Sequence, residues 1–264
     1  MDTIDFVKKN NEILFQWEQW NKEHESVPNF APDGIMYKGD FDFYETFAER
    51  DSNPSLENMM WKDAPLRYLF ITKDQNANGN NAWDVRGETA IKVKGSTTIP
   101  SLLHRNLVHL LFGLHKLSMG VFFDYSDISN EDALHAFFYD VALARINVKK
   151  QAGGPQLPNP ILQYYLERDK KFISAQIQNL DADVLVCCGY SDSVEKTGNL
   201  ILNFLNENGY HFTKYNDWIY YDESKNKLAV NAWHLSYRKN FYTDMMRAYQ
   251  DFLSKYPNFI VSHR

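Results

Sequence analysis

Short apolar runs alternate with amphipathic stretches along most of the chain. Four runs have the length and composition of buried strands, and they are Leu66–Ile71, Val141–Val148, Asp183–Cys188 and Leu228–Asn231. Stretches with apolar residues at helical spacing comprise residues 100–117, 130–138, 160–179, 192–208 and 239–256. Trp218–Tyr221 is a candidate for one more strand. This alternation predicts an α/β fold, a three-layer α/β/α sandwich around a central, mainly parallel sheet of four strands.

The first 60 residues follow this alternation less clearly. Residues 4–20 have apolar positions at roughly helical spacing, which predicts an N-terminal helix. Residues 21–60 are rich in aromatic residues without a clear period, and we expect loops with a short helix near Phe41–Glu49. We therefore divide the chain into a helical and loop-rich extension, residues 1–60, and an α/β domain, residues 61–264.

Composition adds constraints on compartment and partners. The chain has 264 residues with 44% hydrophobic and 23% charged residues, which is ordinary for a globular protein that buries a sizeable core. The net charge of -6 does not favour nucleic-acid binding, although a local basic face is compatible with it. The beginning of the chain lacks the apolar region of a signal peptide, and no apolar run approaches the ~20 residues that span a bilayer. We expect a soluble, cytoplasmic monomer without membrane contact.

The two cysteines, Cys187 and Cys188, are adjacent in a predicted strand. Neighbouring strand residues point to opposite faces, so we expect two buried thiols without a disulfide bond. Two cysteines also cannot supply the four ligands of an iron–sulfur cluster. Three histidines share one predicted helix: His104, His109 and His115. No carboxylate completes a metal-ligand spacing with them, so we expect no metal site and no cofactor.

Polar residues follow three of the four predicted strands, where open α/β sheets bind ligands. Asp74 has a carboxylate that can orient or deprotonate a water, or form an Asx-turn in its loop. Asn147 has both a donor and an acceptor for an amide or imide edge, or it bonds to its own loop. His234 can donate to an oxygen that gains negative charge, or be a satisfied, partly buried histidine.

Four further residues near these strand ends are weaker candidates. Asn76 can read a polar substrate edge or shape its turn, and Trp83 can stack on a base or pack its loop onto the core. Ser236 is placed to begin the last helix as its N-cap, and Arg238 to contact that helix or a phosphate.

The order of these pieces resembles the uracil-DNA glycosylase superfamily over about residues 66–255. The segments that carry the resemblance are Leu69–Asn76, Trp83–Glu88, Ile146–Lys149 and Trp233–Arg238. Asp74 stands at the position of the family's water-activating residue. Two departures are visible: Leu235 replaces the usual proline of the last motif, and Thr72-Lys73 replaces the glycine before the water-activating residue.

The resemblance implies hydrolysis of the N-glycosidic bond of uracil or a related damaged base, in single- or double-stranded DNA, after the nucleotide is flipped into a pocket. Asp74 would position the water, and His234 would stabilise charge on the leaving base. The residues implied to bind the base are Asn76, Trp83 and Asn147, and those implied to hold phosphates are Lys149, Ser236 and Arg238.

Two alternatives remain from the sequence alone. The first is a non-catalytic nucleic-acid or nucleotide binding protein that retains the glycosylase pocket. The second is a flavodoxin-like α/β protein with an unrelated small ligand. The second alternative predicts that Asp74, Asn147 and His234 do not converge.

Overall fold

Helices and strands alternate through most of the protein. A computed structural model describes residues 4–25, 29–43, 48–76, 82–88, 99, 101–128, 131–154, 157–191, 198–238 and 241–261. The helices are α1 Phe6–His24, α2 Pro54–Asp63, α3 Val85–Glu88, α4 Leu102–Ser118, α5 Glu131–Asp140, α6 Asn159–Arg168, α7 Lys170–Leu180, α8 Leu200–Glu207, α9 Tyr242–Lys255 and α10 Asn258–Val261. The strands are β1 Gly34–Ile35, β2 Phe41–Phe43, β3 Ala48–Arg50, β4 Tyr68–Thr72, β5 Leu143–Asn147, β6 Val184–Ser191, β7 Gly198–Asn199, β8 Thr213–Lys214, β9 Ile219–Asp222 and β10 Lys227–Trp233.

The central sheet has the strand order β1-β5-β4-β6-β10-β9-β8, and β7 pairs with β6. Strands β5, β4, β6 and β10 run parallel, and the strands added around them are antiparallel to their neighbours. The predicted α/β class with a mainly parallel sheet is therefore confirmed, whereas the predicted count of four strands is wrong, because the sheet has eight. Three of the added strands have only two residues, too few for a hydrophobic period to reveal them.

Both faces of the parallel strands are covered by helices. Tyr68 and Phe70 of β4 join one buried cluster with residues of α4, α5 and α9. Leu69 and Ile71 point to the opposite face and join a second cluster with residues of α1, α6, α7 and α8. Strands buried on both faces need apolar residues at every position, which explains the continuous apolar runs of the sequence.

Residues before position 61 take part in the same sheet and core. β1 pairs with β5 through Gly34 and Arg145, and α1 packs against α7. The short helix expected near Phe41–Glu49 is absent from the described part of that range, where β2 and β3 form an antiparallel pair. The apolar-polar-apolar order of Phe41–Phe43 has the period of a strand, which accounts for this difference. The division at residue 60 stays a prediction.

A buried ion pair ties the N-terminal segment to the loop after β5. Lys150 Nζ donates to both carboxylate oxygens of Asp33, at 2.7 and 2.6 Å, and neither side chain is exposed to solvent. Gln176 of α7 also donates to Asp33, and the Lys150 ammonium lies 4.5 Å from the ring centre of Trp17. This network holds three segments of the chain together next to the end of β5.

Two further expectations concern the cysteines and the membrane. Cys187 and Cys188 are buried and form no disulfide bond, as predicted from their adjacent positions. Across the described ranges, none of the helices combines the length and the apolar content that a membrane crossing requires.

Candidate active site

The strand order places a topological switch point at the carboxyl ends of β4 and β6. These strands are neighbours, but the chain leaves β4 towards β5 on one side and leaves β6 towards β10 on the other. Connections that diverge in this way leave room for a ligand above the sheet edge. Asp74, Asn147 and His234 follow or end β4, β5 and β10, so the topology brings all three to this edge.

Asp74 lies in the loop that follows β4, with 9% of its side chain exposed. Its Oδ2 accepts no hydrogen bond from the described residues, and Lys149 Nζ is 3.7 Å away from it. Burial raises the pKa of the Asp74 carboxyl, while the positive charges of Lys149 and Lys73 oppose that rise. The loop after β5 closes over this pair, because a methyl group at Gly153 would lie 2.8 Å from Oδ2. The site therefore contains a buried carboxylate, one oxygen of which accepts no hydrogen bond from the described residues.

Asn147 is the last residue of β5, and its side chain is held in one orientation. Its Oδ1 accepts a hydrogen bond from Thr72 Oγ1 at 2.5 Å, and its backbone N–H donates to Asp33 at 2.7 Å. Its Nδ2 is buried without a partner among the described residues. A buried donor without a partner is costly unless a ligand accepts a hydrogen bond from it. Asn147 can therefore offer an N–H to a ligand at this edge of the sheet.

His234 follows β10 and is partly buried. The backbone N–H of Ser236 donates to its Nδ1 at 3.2 Å, which leaves the proton of the neutral ring on Nε2. Burial, together with the nearby positive charges of Lys73 and Arg145, lowers the pKa of His234 to about 4. At neutral pH this ring is therefore uncharged, and its Nε2–H is a hydrogen-bond donor.

The structure adds charged residues that the sequence reasoning missed. Arg145 precedes Asn147 by two positions on β5, so both side chains lie on the same face of the sheet. Glu88 of α3 contacts two of these groups. Its Oε2 is 3.5 Å from Arg145 Nη1, and its Oε1 is 3.9 Å from Nε2 of His104, a residue of α4. An arginine inside an otherwise apolar strand was the available signal, since such a residue needs a partner or a ligand.

Asn76 and Trp83 lie on the loop that begins at Asp74. Asn76 is exposed and forms a bridge with Gly153. The side-chain amide of Gln75 bonds to the backbone of Trp83 in both directions, at 3.0 and 3.3 Å. The indole N–H of Trp83 is buried without a partner in the part of the chain that the structure describes.

The three residues expected to hold phosphates differ in their surroundings. Lys149 donates to the carbonyl of Gln151 at 2.8 Å and pairs with Asp74, so its ammonium is engaged inside the site. Ser236 and Arg238 are exposed. Ser236 is not the N-cap of α9, the helix expected to follow it, because α9 begins at Tyr242 with Phe241 before it. The residues after β10 instead form a turn in which Tyr237 N–H donates to the His234 carbonyl.

Together these features define an α/β protein with a polar site at the carboxyl edge of its parallel strands. Within the described residues, no three side chains of histidine, cysteine, aspartate or glutamate are grouped to hold a metal ion. Comparison with protein-family models, with curated proteins and with solved structures found no match to this chain.

Proposed function

We propose that this protein hydrolyses the N-glycosidic bond of uracil or a related damaged base in DNA. One observation carries the proposal: two groups belong to loops at the same sheet edge. They are the buried Asp74 carboxylate, whose Oδ2 accepts no hydrogen bond from the described residues, and the neutral His234 imidazole, which donates from Nε2. Cleavage of an N-glycosidic bond needs these two functions, because positive charge develops on the sugar while negative charge develops on the leaving base.

In this mechanism Asp74 accepts a hydrogen bond from a water and directs its oxygen at the anomeric carbon. The carbon–nitrogen bond breaks, a carbon–oxygen bond forms, and the water proton passes to the Asp74 carboxylate. The electron pair of the broken bond leaves with the base. His234 Nε2–H donates to a base oxygen that gains charge, and a neutral imidazole does this without itself losing a proton.

Recognition of the base falls to the residues around the free amide of Asn147. Thr72 holds the Asn147 carbonyl oxygen, so the Nδ2 hydrogens face the ligand and pair with a carbonyl of the base. Trp83 and Asn76 belong to the loop that begins at Asp74 and contact the base or its sugar. The exposed Ser236 and Arg238 contact backbone phosphates. These contacts bind DNA locally, although the net charge of the chain is negative.

A second candidate function is binding of a nucleic acid or nucleotide without hydrolysis. The observation that favours it is the ion pair between Lys149 and Asp74, at 3.7 Å. An ammonium group beside a carboxylate stabilises its charged form and makes it a weaker base towards water. In a binding protein the same pair serves only to shape the pocket.

We expect Asp74→Asn to lower hydrolysis by at least about a hundredfold, a typical contribution of a positioned acid or base. The measurement is strand cleavage after alkali treatment of oligonucleotides that carry uracil or other damaged bases, in single- and double-stranded form. Asp217→Asn is the matched control, because the Asp217 side chain is 87% exposed and pairs with Lys214 at the surface.

The outcomes separate the two candidates. Cleavage by the wild-type protein and by Asp217→Asn, with loss in Asp74→Asn, supports hydrolysis. Binding of the same oligonucleotides without cleavage by any variant supports the non-catalytic function. Equal cleavage by Asp74→Asn and wild type contradicts the role proposed for Asp74.

A further inference from the structure

A second polar site lies on the outer surface of the helices that cover one face of the sheet. It is an open cleft of about 650 Å³, within the size range of small-molecule sites. Its walls come from the end of α1, the junction of α6 and α7, the solvent side of α7 and the end of α8. The described residues that line it include none of those assigned to the candidate active site.

Helix α7 contributes a polar side to this cleft. Lys170, Ser174 and Gln178 line the cleft and repeat every four residues, so their side chains follow one another along one side of the helix. Ile173 and Ile177 belong instead to the buried cluster on this face of the sheet. Core packing therefore fixes α7 with its polar side towards the cleft.

Two residues of the cleft have buried polar atoms without a hydrogen-bond partner. Ser174 Oγ and Trp20 Nε1 are both buried, and neither forms a hydrogen bond within the part of the chain that the structure describes. Both residues line the same cleft. Because native proteins pair nearly all of their buried polar atoms, each such atom calls for an explanation, and an acceptor in the cleft would pair both. The cleft therefore lacks an acceptor for a serine O–H and an indole N–H.

Lys171 adds a positive charge next to these two donors. Its Nζ lies 4.3 Å from the ring centre of Trp20, and it precedes Ser174 by three positions, so the two share a side of the helix. Lys170 lines the same cleft. Two ammonium groups and two donors without partners thus belong to one site, which is the arrangement that an anion with several oxygens requires.

The number of donors favours a phosphate group over a carboxylate. A phosphate monoester has three strong acceptor oxygens and a charge of about −1.5 to −2 at neutral pH, so it can accept from Lys171, Ser174 and Trp20 at once. A carboxylate has two oxygens and a single charge, which matches this set of donors less completely.

The other polar residues of the cleft suit hydroxyl groups. Glu167 and Glu207 line it with carboxylates, and Gln178 lines it with an amide. Carboxylates repel a phosphate group, but they accept hydrogen bonds from the hydroxyl groups of the molecule that carries it. We propose that this cleft binds a phosphate monoester of a small polyhydroxy molecule, with Lys171, Ser174 and Trp20 as donors to the phosphate. This ligand site is additional to the proposed glycosidic site and does not depend on it.

The test is titration of the full chain with glucose 6-phosphate, gluconate, glucose and inorganic phosphate. Binding is measured by calorimetry and by the NMR signal of the Trp20 indole N–H, which is assigned by its loss in Trp20→Phe. We expect glucose 6-phosphate to bind at least about tenfold more tightly than gluconate or glucose, since a site built to bond polar groups rejects ligands that leave them unpaired. Inorganic phosphate should compete with it more weakly and shift the same indole signal.

Variants of two donors separate recognition from folding. Lys171→Gln and Ser174→Ala should each weaken binding of glucose 6-phosphate by about tenfold, the loss expected for one hydrogen bond to a charged group. Ser174→Ala should leave the melting temperature unchanged or raise it, because it removes a buried hydroxyl that has no partner within the described residues. Lys62→Gln is the matched control, because Lys62 is exposed and does not line the cleft.

The outcomes decide the proposal without reference to hydrolysis of DNA. Binding of glucose 6-phosphate that Lys62→Gln retains and the two cleft variants lose supports it. No saturable binding at millimolar concentration, or binding that Lys171→Gln and Ser174→Ala both retain, would overturn it. Equally tight binding of gluconate would overturn the choice of a phosphate group.

A lipid headgroup is the other source of a phosphate monoester, and vesicles of phosphatidylcholine with phosphatidic acid test it. We expect no sedimentation of the protein with these vesicles. Sedimentation that Lys171→Gln abolishes, without binding of glucose 6-phosphate, would assign the cleft to a membrane surface and overturn the proposal of a small soluble ligand.

Discussion

At the scale of single residues, surroundings decide what each candidate side chain can do. His234 is neutral because it is partly buried close to Lys73 and Arg145, and a backbone N–H at Nδ1 directs its remaining proton outwards from Nε2. Asp74 has the opposite shift, because burial raises the pKa of its carboxyl. The two shifts have one main cause, because burial disfavours the charged form of an imidazole and of a carboxyl alike.

The shifted His234 makes stability depend on pH. Between pH 4 and 6.5 the unfolded chain protonates this histidine, whose ordinary pKa is 6.5, while the folded protein leaves it neutral. The unfolded state then binds more protons, so the free energy of unfolding rises with pH across this window. We expect His234→Gln to remove on the order of 1–3 kcal/mol of that rise, measured by urea denaturation at a series of pH values.

A matched control for this prediction is His211→Gln, which changes an exposed histidine. Its unfolding free energy should follow pH as the wild type does. A His234→Gln variant with an unchanged pH dependence would show that this histidine titrates alike in both states.

At the scale of elements, the site depends on two loops that follow adjacent strands. The loops after β4 and β5 are joined by the bridge between Asn76 and Gly153, in which Gly153 N–H donates to the Gln75 carbonyl at 2.8 Å. This contact holds Gly153, in the loop after β5, beside the side-chain ends of Asp74 and Lys149. The glycine leaves room at this point for the side-chain ends of Lys149 and Asp74, which occupy the space beside its Cα.

Replacing Gly153 tests this arrangement. A methyl group there would lie 2.7 Å from Lys149 Nζ and 2.8 Å from Asp74 Oδ2, so Gly153→Ala must displace both groups. We expect hydrolysis to fall by about tenfold or more, because small misplacements of a catalytic group are costly. The melting temperature should change little, since the displaced atoms are side-chain ends.

The neighbouring glycine provides the control. Among the described residues, a methyl group at Gly154 would meet no atom within 4 Å, so Gly154→Ala should retain both activity and stability. Equal effects of the two substitutions on hydrolysis would mean that the loop tolerates movement at Asp74.

At the scale of the whole molecule, residues before position 61 share a buried cluster with the rest of the α/β fold. β1 extends the sheet beyond β5, and the pair of Asp33 and Lys150 links positions 117 residues apart. Asp33 also accepts from the backbone N–H of Asn147, so the same ion pair supports a residue of the site. Residues outside the predicted domain thus support a residue of the candidate site.

We expect Lys150→Met to lower the free energy of unfolding by about 3–5 kcal/mol, because it leaves the Asp33 carboxylate buried without its cation. Chemical denaturation followed by tryptophan fluorescence measures the change. The double variant Asp33→Asn with Lys150→Met removes both charges and keeps an acceptor for Asn147, so it should recover much of the loss. A single variant within about 1 kcal/mol of wild type would contradict the importance of this pair.

Local pattern was sufficient for the four parallel strands and for several of the longer helices. The parallel strands β4, β5, β6 and β10 follow from apolar runs, because strands covered on both faces have no solvent-exposed side. Helix α4 follows from its spaced leucines, with Ser101 capping its first turn as a start signal. One predicted helix over residues 160–179 proved to be two, α6 and α7, which meet at the buried Asp169.

The three candidate site residues were also visible from the sequence, since the strand ends of an open α/β sheet converge on one edge. What only the tertiary structure decided is which charges meet there. Arg145 lies 57 residues from Glu88 in the chain, and no local spacing predicts that contact or the buried pair of Asp33 and Lys150. A period of two or of 3.6 residues reports which side of an element faces the core, whereas the pairing of buried charges depends on how distant segments are brought together.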